Sequence, residues 1–125
     1  MTGAAVKVGS CKHLLNQQTL IRYYVEESSE LLARERIENT YKCLEKKIIK
    51  KEYQNLEKYW KIEGTYLVEV ILELNDNISE LQNYLENIAD YWIEFGNPVE
   101  ELLASRTDKN CNFMKEKFIM VDVIL

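Results

Sequence analysis

Glycine and proline are scarce in this 125-residue chain, with four of the first and one of the second. All-β sandwiches and α/β enzymes use such residues at turns roughly every ten positions, so their scarcity disfavours both classes. Cysteine is limited to three residues with no Cys-x-x-Cys spacing, which excludes a tidy disulfide scaffold or a zinc ribbon. The single histidine, His13, excludes a His-rich metal site and makes a His-dependent triad hard to build. Long apolar runs are missing too. The longest, such as Tyr66-Leu67-Val68 and Phe118-Ile119-Met120-Val121, span three or four residues, whereas a membrane-spanning helix needs about 20. The opening MTGAAVKVGSCKHLL lacks the continuous apolar core of a secretory signal. Free thiols in a reducing compartment follow from these absences, with the cytosol or nucleus as the expected location and no membrane partner.

The residues that are present suit one compact domain, with 46% hydrophobic for a core and 30% charged. Charge is unevenly spread. Residues 1–61 hold 12 basic and 8 acidic side chains, residues 62–105 hold 10 acidic and no basic ones, and residues 106–125 hold 4 basic and 3 acidic. Between Lys61 and Arg106 there is no cation. Such a boundary fits either a basic helix packed antiparallel to an acidic one, or an acidic surface for a basic partner.

Spacing of the apolar residues predicts an all-α protein, an elongated helical hairpin or bundle with a coiled-coil-like seam. Residues 1–12 show no period and read as a flexible N-terminal arm. Residues 13–105 read as the helical bundle, and residues 106–125 as a polar loop followed by an amphipathic segment, helix or strand. From Leu14 to Glu63 there is neither Gly nor Pro. There Leu14, Ile21, Val25, Ser28 and Leu32, then Ile37, Tyr41, Leu44 and Ile48, follow helical spacing, and the stripe continues as Ile49, Tyr53, Leu56 and Trp60. Gly64 suits a helix C-terminus behind Lys58 and Lys61, and Thr65 a new cap. The segment Thr65–Leu74 (TYLVEVILEL) is rich in β-branched residues and alone could be a strand; the in-phase spacing beyond it favours helix.

That spacing runs through Ile71, Leu74, Ile78, Leu81, Leu85, Ile88, Trp92 and Phe95 at intervals alternating 3 and 4, the register of a coiled-coil seam. Tyrosines at 84 and 91 widen it into a bundle face. Asn77 and Glu80 form an alternative capping box. Gly96 then closes the helix, and Asn97-Pro98-Val99-Glu100 opens a short one reaching about Ser105.

Glu26-Glu27-Ser28-Ser29-Glu30 spells E-E-x-x-E, and Glu73-Leu74-Asn75-Asp76 spells E-x-x-D. The pair resembles the magnesium motif of the all-α nucleoside-triphosphate pyrophosphohydrolases. The resemblance implies a metal held by Glu26, Glu27, Glu30, Glu73 and Asp76, polarising a phosphate and activating water. Against it stand the 42 residues between Glu30 and Glu73, more than that family's usual gap. Glu69, Glu73, Asp76 and Glu80 also form a coherent acidic face, solvated or docking a basic partner. Lys46, Lys47, Lys50, Lys51, Lys58 and Lys61, interleaved with Tyr53, Tyr59 and Trp60, raise nucleic-acid binding as a third reading. Glu45, Glu52 and Glu57 dilute that patch, and Tyr53 and Trp60 fall in the apolar stripe. Cys11 and His13 make no metal site without two more ligands, and Cys43 and Cys111 read as ordinary thiols. The sequence therefore favours a non-enzymatic, cofactor-free subunit or adaptor assembling with itself or with other helical chains through the seam. The pyrophosphohydrolase and the nucleic-acid binder are the alternatives.

Overall fold

The segment TLIRYYVE, Thr19–Glu26, alternates strictly: Ile21, Tyr23 and Val25 are completely buried while Arg22 and Tyr24 point the other way. Period-two burial on β-branched and aromatic residues makes a strand, not a helix. This is β2 of a computed structural model that describes residues 4–6, 18–75, 77–96 and 100–124. Ser29 then caps the helix Glu30–Thr40 (α1), its hydroxyl accepting from the Leu32 N–H. Ala33, Ile37 and Thr40 form the buried side of α1, and a 3-10 turn, Tyr41–Leu44, buries Tyr41 and Leu44. Strands Ile48–Lys58 (β3) and Thr65–Leu74 (β4) form a hairpin. In its turn Gly64 takes φ +75°, the left-handed conformation that favours glycine. The helix Asn77–Ile88 (α2) follows, and then strands Trp92–Phe95 (β5), Glu101–Ser105 (β6) and Phe118–Ile124 (β7). Ala4–Val6 (β1) pairs with β5.

The strands make one sheet in the order β1-β5-β6-β7-β2-β4-β3, with every neighbouring pair antiparallel. Both helices lie against the same side of it. Tyr23 of β2 shows this, since its hydroxyl meets Tyr41 beyond α1 at 2.7 Å and Tyr84 of α2 at 2.8 Å. Leu81, Leu85 and Ile88 of α2 join Val68, Val70 and Leu72 of β4 and Val121 and Val123 of β7 in one core. The fold is a two-layer α+β sandwich.

The all-α bundle and its coiled-coil seam are overturned. The expected helix over residues 14–63 is β2, α1 and β3, and the expected helix through Thr65–Leu74 is β4. Gly64 turns a hairpin and does not end a helix, and Glu101–Ser105 is a strand. The physical reason is that residues i and i+4 share a face in both a helix and a strand, so the spacing could not choose. Of residues 113–125, read as helix or strand, Phe118–Ile124 is a strand. The juxtaposition of basic and acidic segments is present in strand form, with Lys50 of β3 opposite Glu73 of β4. Within the segment read as an arm, Ala4–Val6 is an edge strand. The remainder of the arm, Leu14 and the Asn97-Pro98-Val99 cap lie outside the described residues. Among the described residues no helix is long and apolar enough to cross a membrane.

Candidate functional site

Every second side chain of the sheet points away from the helices, and no described element covers that face. Strand register sorts these side chains into rows, because directly opposed residues share a side. The middle row runs Ile93, Leu103, Asp122, Arg22, Glu69 and Asn55. A second row holds Phe95, Glu101, Ile124, Leu20, Ile71 and Glu52, and a third holds Ser105, Met120, Tyr24, Leu67 and Glu57. A polar line from Asp122 to Asn55 thus spans β7, β2, β4 and β3 between two rows rich in apolar groups. Most of these side chains are half-buried by one another, unlike the fully buried set beneath the helices.

The polar line is continuous. Asn55 Nδ2 donates to Glu69 Oε1 at 3.2 Å, Arg22 Nε donates to Glu69 Oε2 at 2.7 Å, and the same guanidinium lies 3.8 Å from Asp122 Oδ2. Its hydrogen bond to Glu69 raises the Arg22 pKa further above its ordinary value. Asp122 behaves differently. Burial first, then a hydrogen bond and charge repulsion from Glu101, push its carboxyl up to about 7 against the opposing pull of Arg22. Its Oδ1 is buried and has no donor among the described groups.

At one corner the face leads into an aromatic chain. Tyr24 meets Tyr59 edge to face with centroids 4.9 Å apart, and Tyr59 lies 6.5 Å from Trp60. Trp60 is 82% exposed on the β3–β4 turn, with the Lys61 ammonium 5.2 Å from its ring. Beside it a cleft of about 460 Å³ is lined by Ser28, Lys58, Tyr59, Trp60 and Thr65 among others. The Thr65 hydroxyl is buried and has no partner among the described residues.

The residues singled out from the sequence are scattered by this geometry. Of the expected seam, Ile71 lies on the uncovered face of β4, whereas Leu74 faces the helices. Leu81, Leu85 and Ile88 are buried on α2, which also contains Ile78, while Trp92 and Phe95 belong to β5. The seam is therefore no single surface. Of the acidic face, Glu69 and Glu73 sit on β4, Glu80 is on α2 with Lys47 at 3.3 Å, and Asp76 lies outside the described residues. The pyrophosphohydrolase-like set does not converge. Glu26 stands opposite Thr65, and Glu73 is eight positions farther along β4, about 27 Å away at about 3.4 Å per residue. Glu26 and Glu27 are engaged with Arg106 and Arg36. No three metal-ligating side chains gather among the described residues.

The lysine patch follows β3 and its flanks, with Lys51 on Glu38 at 2.7 Å and Lys50 on Glu52 at 3.6 Å. Tyr53 donates to Glu38 and is half-buried, whereas Trp60 is outside the core that its stripe predicted. Cys43 is exposed; Cys111 is buried, and burial pushes its thiol up, the reverse of an activated nucleophile. Cys11 and His13 lie outside the described residues. Sequence reasoning missed Arg22 and Asp122. The available signal was one carboxylate inside the apolar segment FIMVDVI and one cation inside TLIRYYVE, each at an alternate position of a strand.

Neither a family model, nor a curated protein, nor a solved structure matches this chain.

Proposed function

We propose that this is a non-catalytic binding protein that docks another protein on the uncovered face of its sheet. The observation that carries the reading is the pairing of apolar rows with an ordered polar line on a face that no described helix covers. Antiparallel sheets with one solvated face ordinarily alternate apolar-in with polar-out. Here Leu20, Leu67, Ile71, Leu103 and Met120 all occupy outward positions. Contiguous apolar side chains on an uncovered face mark an interaction surface. Trp60 continues it as an exposed aromatic anchor of the kind enriched at interface hot spots. This replaces the helical oligomer read from the sequence, since the residues offered for assembly are buried on α2 or divided between strands.

A benzophenone amino acid at Ile71, and separately at the exposed α2 residue Glu86, tests the reading in native extract. Irradiation should yield a protein adduct from position 71 and none from position 86. Adducts from position 86 alone, or from neither, would overturn the docking face.

A further inference from the structure

Resting on that reading, we infer that the partner presents a cationic, arginine- or lysine-bearing protein surface to the row through Glu69, Arg22 and Asp122. Charge complementarity argues for it. On the described outward face of the four central strands, the carboxylates of Glu26, Glu69, Glu73, Glu101 and Asp122 meet one guanidinium of those strands, Arg22. Arg106 holds Glu26 and Lys50 of β3 stands opposite Glu73, which leaves Asp122 and Glu101 with no cation besides Arg22 among the described residues. Arg22 is committed to Glu69 at 2.7 Å and only approaches Asp122 at 3.8 Å, so the Asp122–Glu101 end of the line has carboxylates in excess of cations. Apolar neighbours Leu20, Leu103 and Ile124 surround that end and strengthen any charge pairing made there. An anionic partner, such as nucleic acid or an acidic lipid surface, would add charge of the wrong sign.

The arrangement also couples docking to pH. The groups facing Asp122 are Arg22 and Tyr24 from β2, Glu101 from β6, and Glu69 through Arg22 from β4. Without a second cation, burial and the neighbouring Glu101 push the Asp122 carboxyl up to about 7, so it holds a proton below that pH. A guanidinium or ammonium laid over the pair takes the place of that proton. Binding should therefore strengthen as pH rises through 7, because below it the proton and the cation compete for one carboxylate.

The probe is octa-arginine, titrated at low salt into the intact protein and followed by amide chemical shifts and calorimetry, with octa-glutamate as control. Octa-arginine should shift amides of β2, β4 and β7 around Arg22, Glu69 and Asp122. Its affinity should rise about tenfold between pH 6 and pH 8, the change in the ionised fraction of a group titrating near 7. Asp122→Asn, nearly isosteric, should keep the fold and flatten that dependence, and Glu73→Lys should weaken binding at both pH values. Shifts confined to the helical side, a pH-independent affinity, or preference for octa-glutamate would overturn the inference. Self-association through this face in sedimentation equilibrium would overturn it as well, naming a second copy as the occupant. An adduct at position 71 with an acidic protein would overturn the cationic partner and leave the docking face standing. Absence of any adduct there removes the docking face itself.

Discussion

Four buried hydroxyls show how far proton counting alone can order a network. The Thr40 hydroxyl donates to the Ile37 carbonyl at 2.7 Å, and a carbonyl can only accept. Thr40 must then accept from Tyr84 at 2.7 Å, so Tyr84 accepts from Tyr23, and Tyr23 accepts from Tyr41. The chain runs one way, from Tyr41 to the backbone of α1. Burial raises all three phenols well above their ordinary range, so the network stays neutral at any physiological pH. Position in the chain sets the cost of removing each hydroxyl. Tyr41→Phe removes the first donor and leaves no other proton without an acceptor, costing about 1 kcal/mol. Tyr23→Phe strands the Tyr41 proton and deprives Tyr84 of its donor, costing about 2–3 kcal/mol. Urea unfolding of the two variants checks the order, and equal losses would contradict the direction of the chain. Tyr41 and Tyr84 were legible as members of apolar faces, but Tyr23 was not. A helical reading that joins Ile21 to Val25 turns position 23 to the opposite side, whereas a strand puts it between them.

At the scale of elements, α2 carried the part of the spacing that was genuinely helical. Leu81, Leu85 and Ile88 fall at intervals of four and three and are all buried, as a helix on a sheet requires. The same rhythm extends into β4 and β5 by coincidence. Ile71 and Leu74, three apart, point to opposite faces of β4. What sequence spacing could not weigh was the alternation of Val68, Val70, Leu72 and Leu74, all buried on one side of TYLVEVILEL. The scarcity of glycine misled too, because other residues make the turns. Asp108 Oδ1 accepts from the Asn110 N–H in the β6–β7 connection, and Lys117 adopts φ 73° just before β7. Leu85→Ala, inside the core, should cost about 2–5 kcal/mol by loss of burial and the cavity left behind. Leu31→Ala, on the exposed side of α1, should stay within about 0.5 kcal/mol. Denaturant titrations at two protein concentrations should give the same midpoints, since Leu85 packs within its own chain; a concentration-dependent midpoint would contradict this.

At the scale of the whole sheet the strand order places β7 between β6 and β2, so the last of the described strands in chain order is central. The register joins Leu20 to Ile124 and Leu102 to Val123. None of this topology was legible beforehand, because strand order depends on pairings distant in sequence that local patterns do not record. A chain ending at Lys117 loses the link between the β1-β5-β6 and β2-β4-β3 halves. Circular dichroism and urea titration should show it without a cooperative transition; a normal transition would contradict the central role of β7.

The same placement bears on how the protein comes into being on the ribosome. At roughly 5–20 residues per second, β2 emerges some 5–20 seconds before the strand that lies beside it. About halfway through that interval β4 emerges and pairs with one side of β2, while the other side keeps its N–H and C=O groups open to any passing strand. The nascent chain therefore carries an open edge in the middle of its sheet until β7 is made, and the two halves join only after translation has passed residue 124.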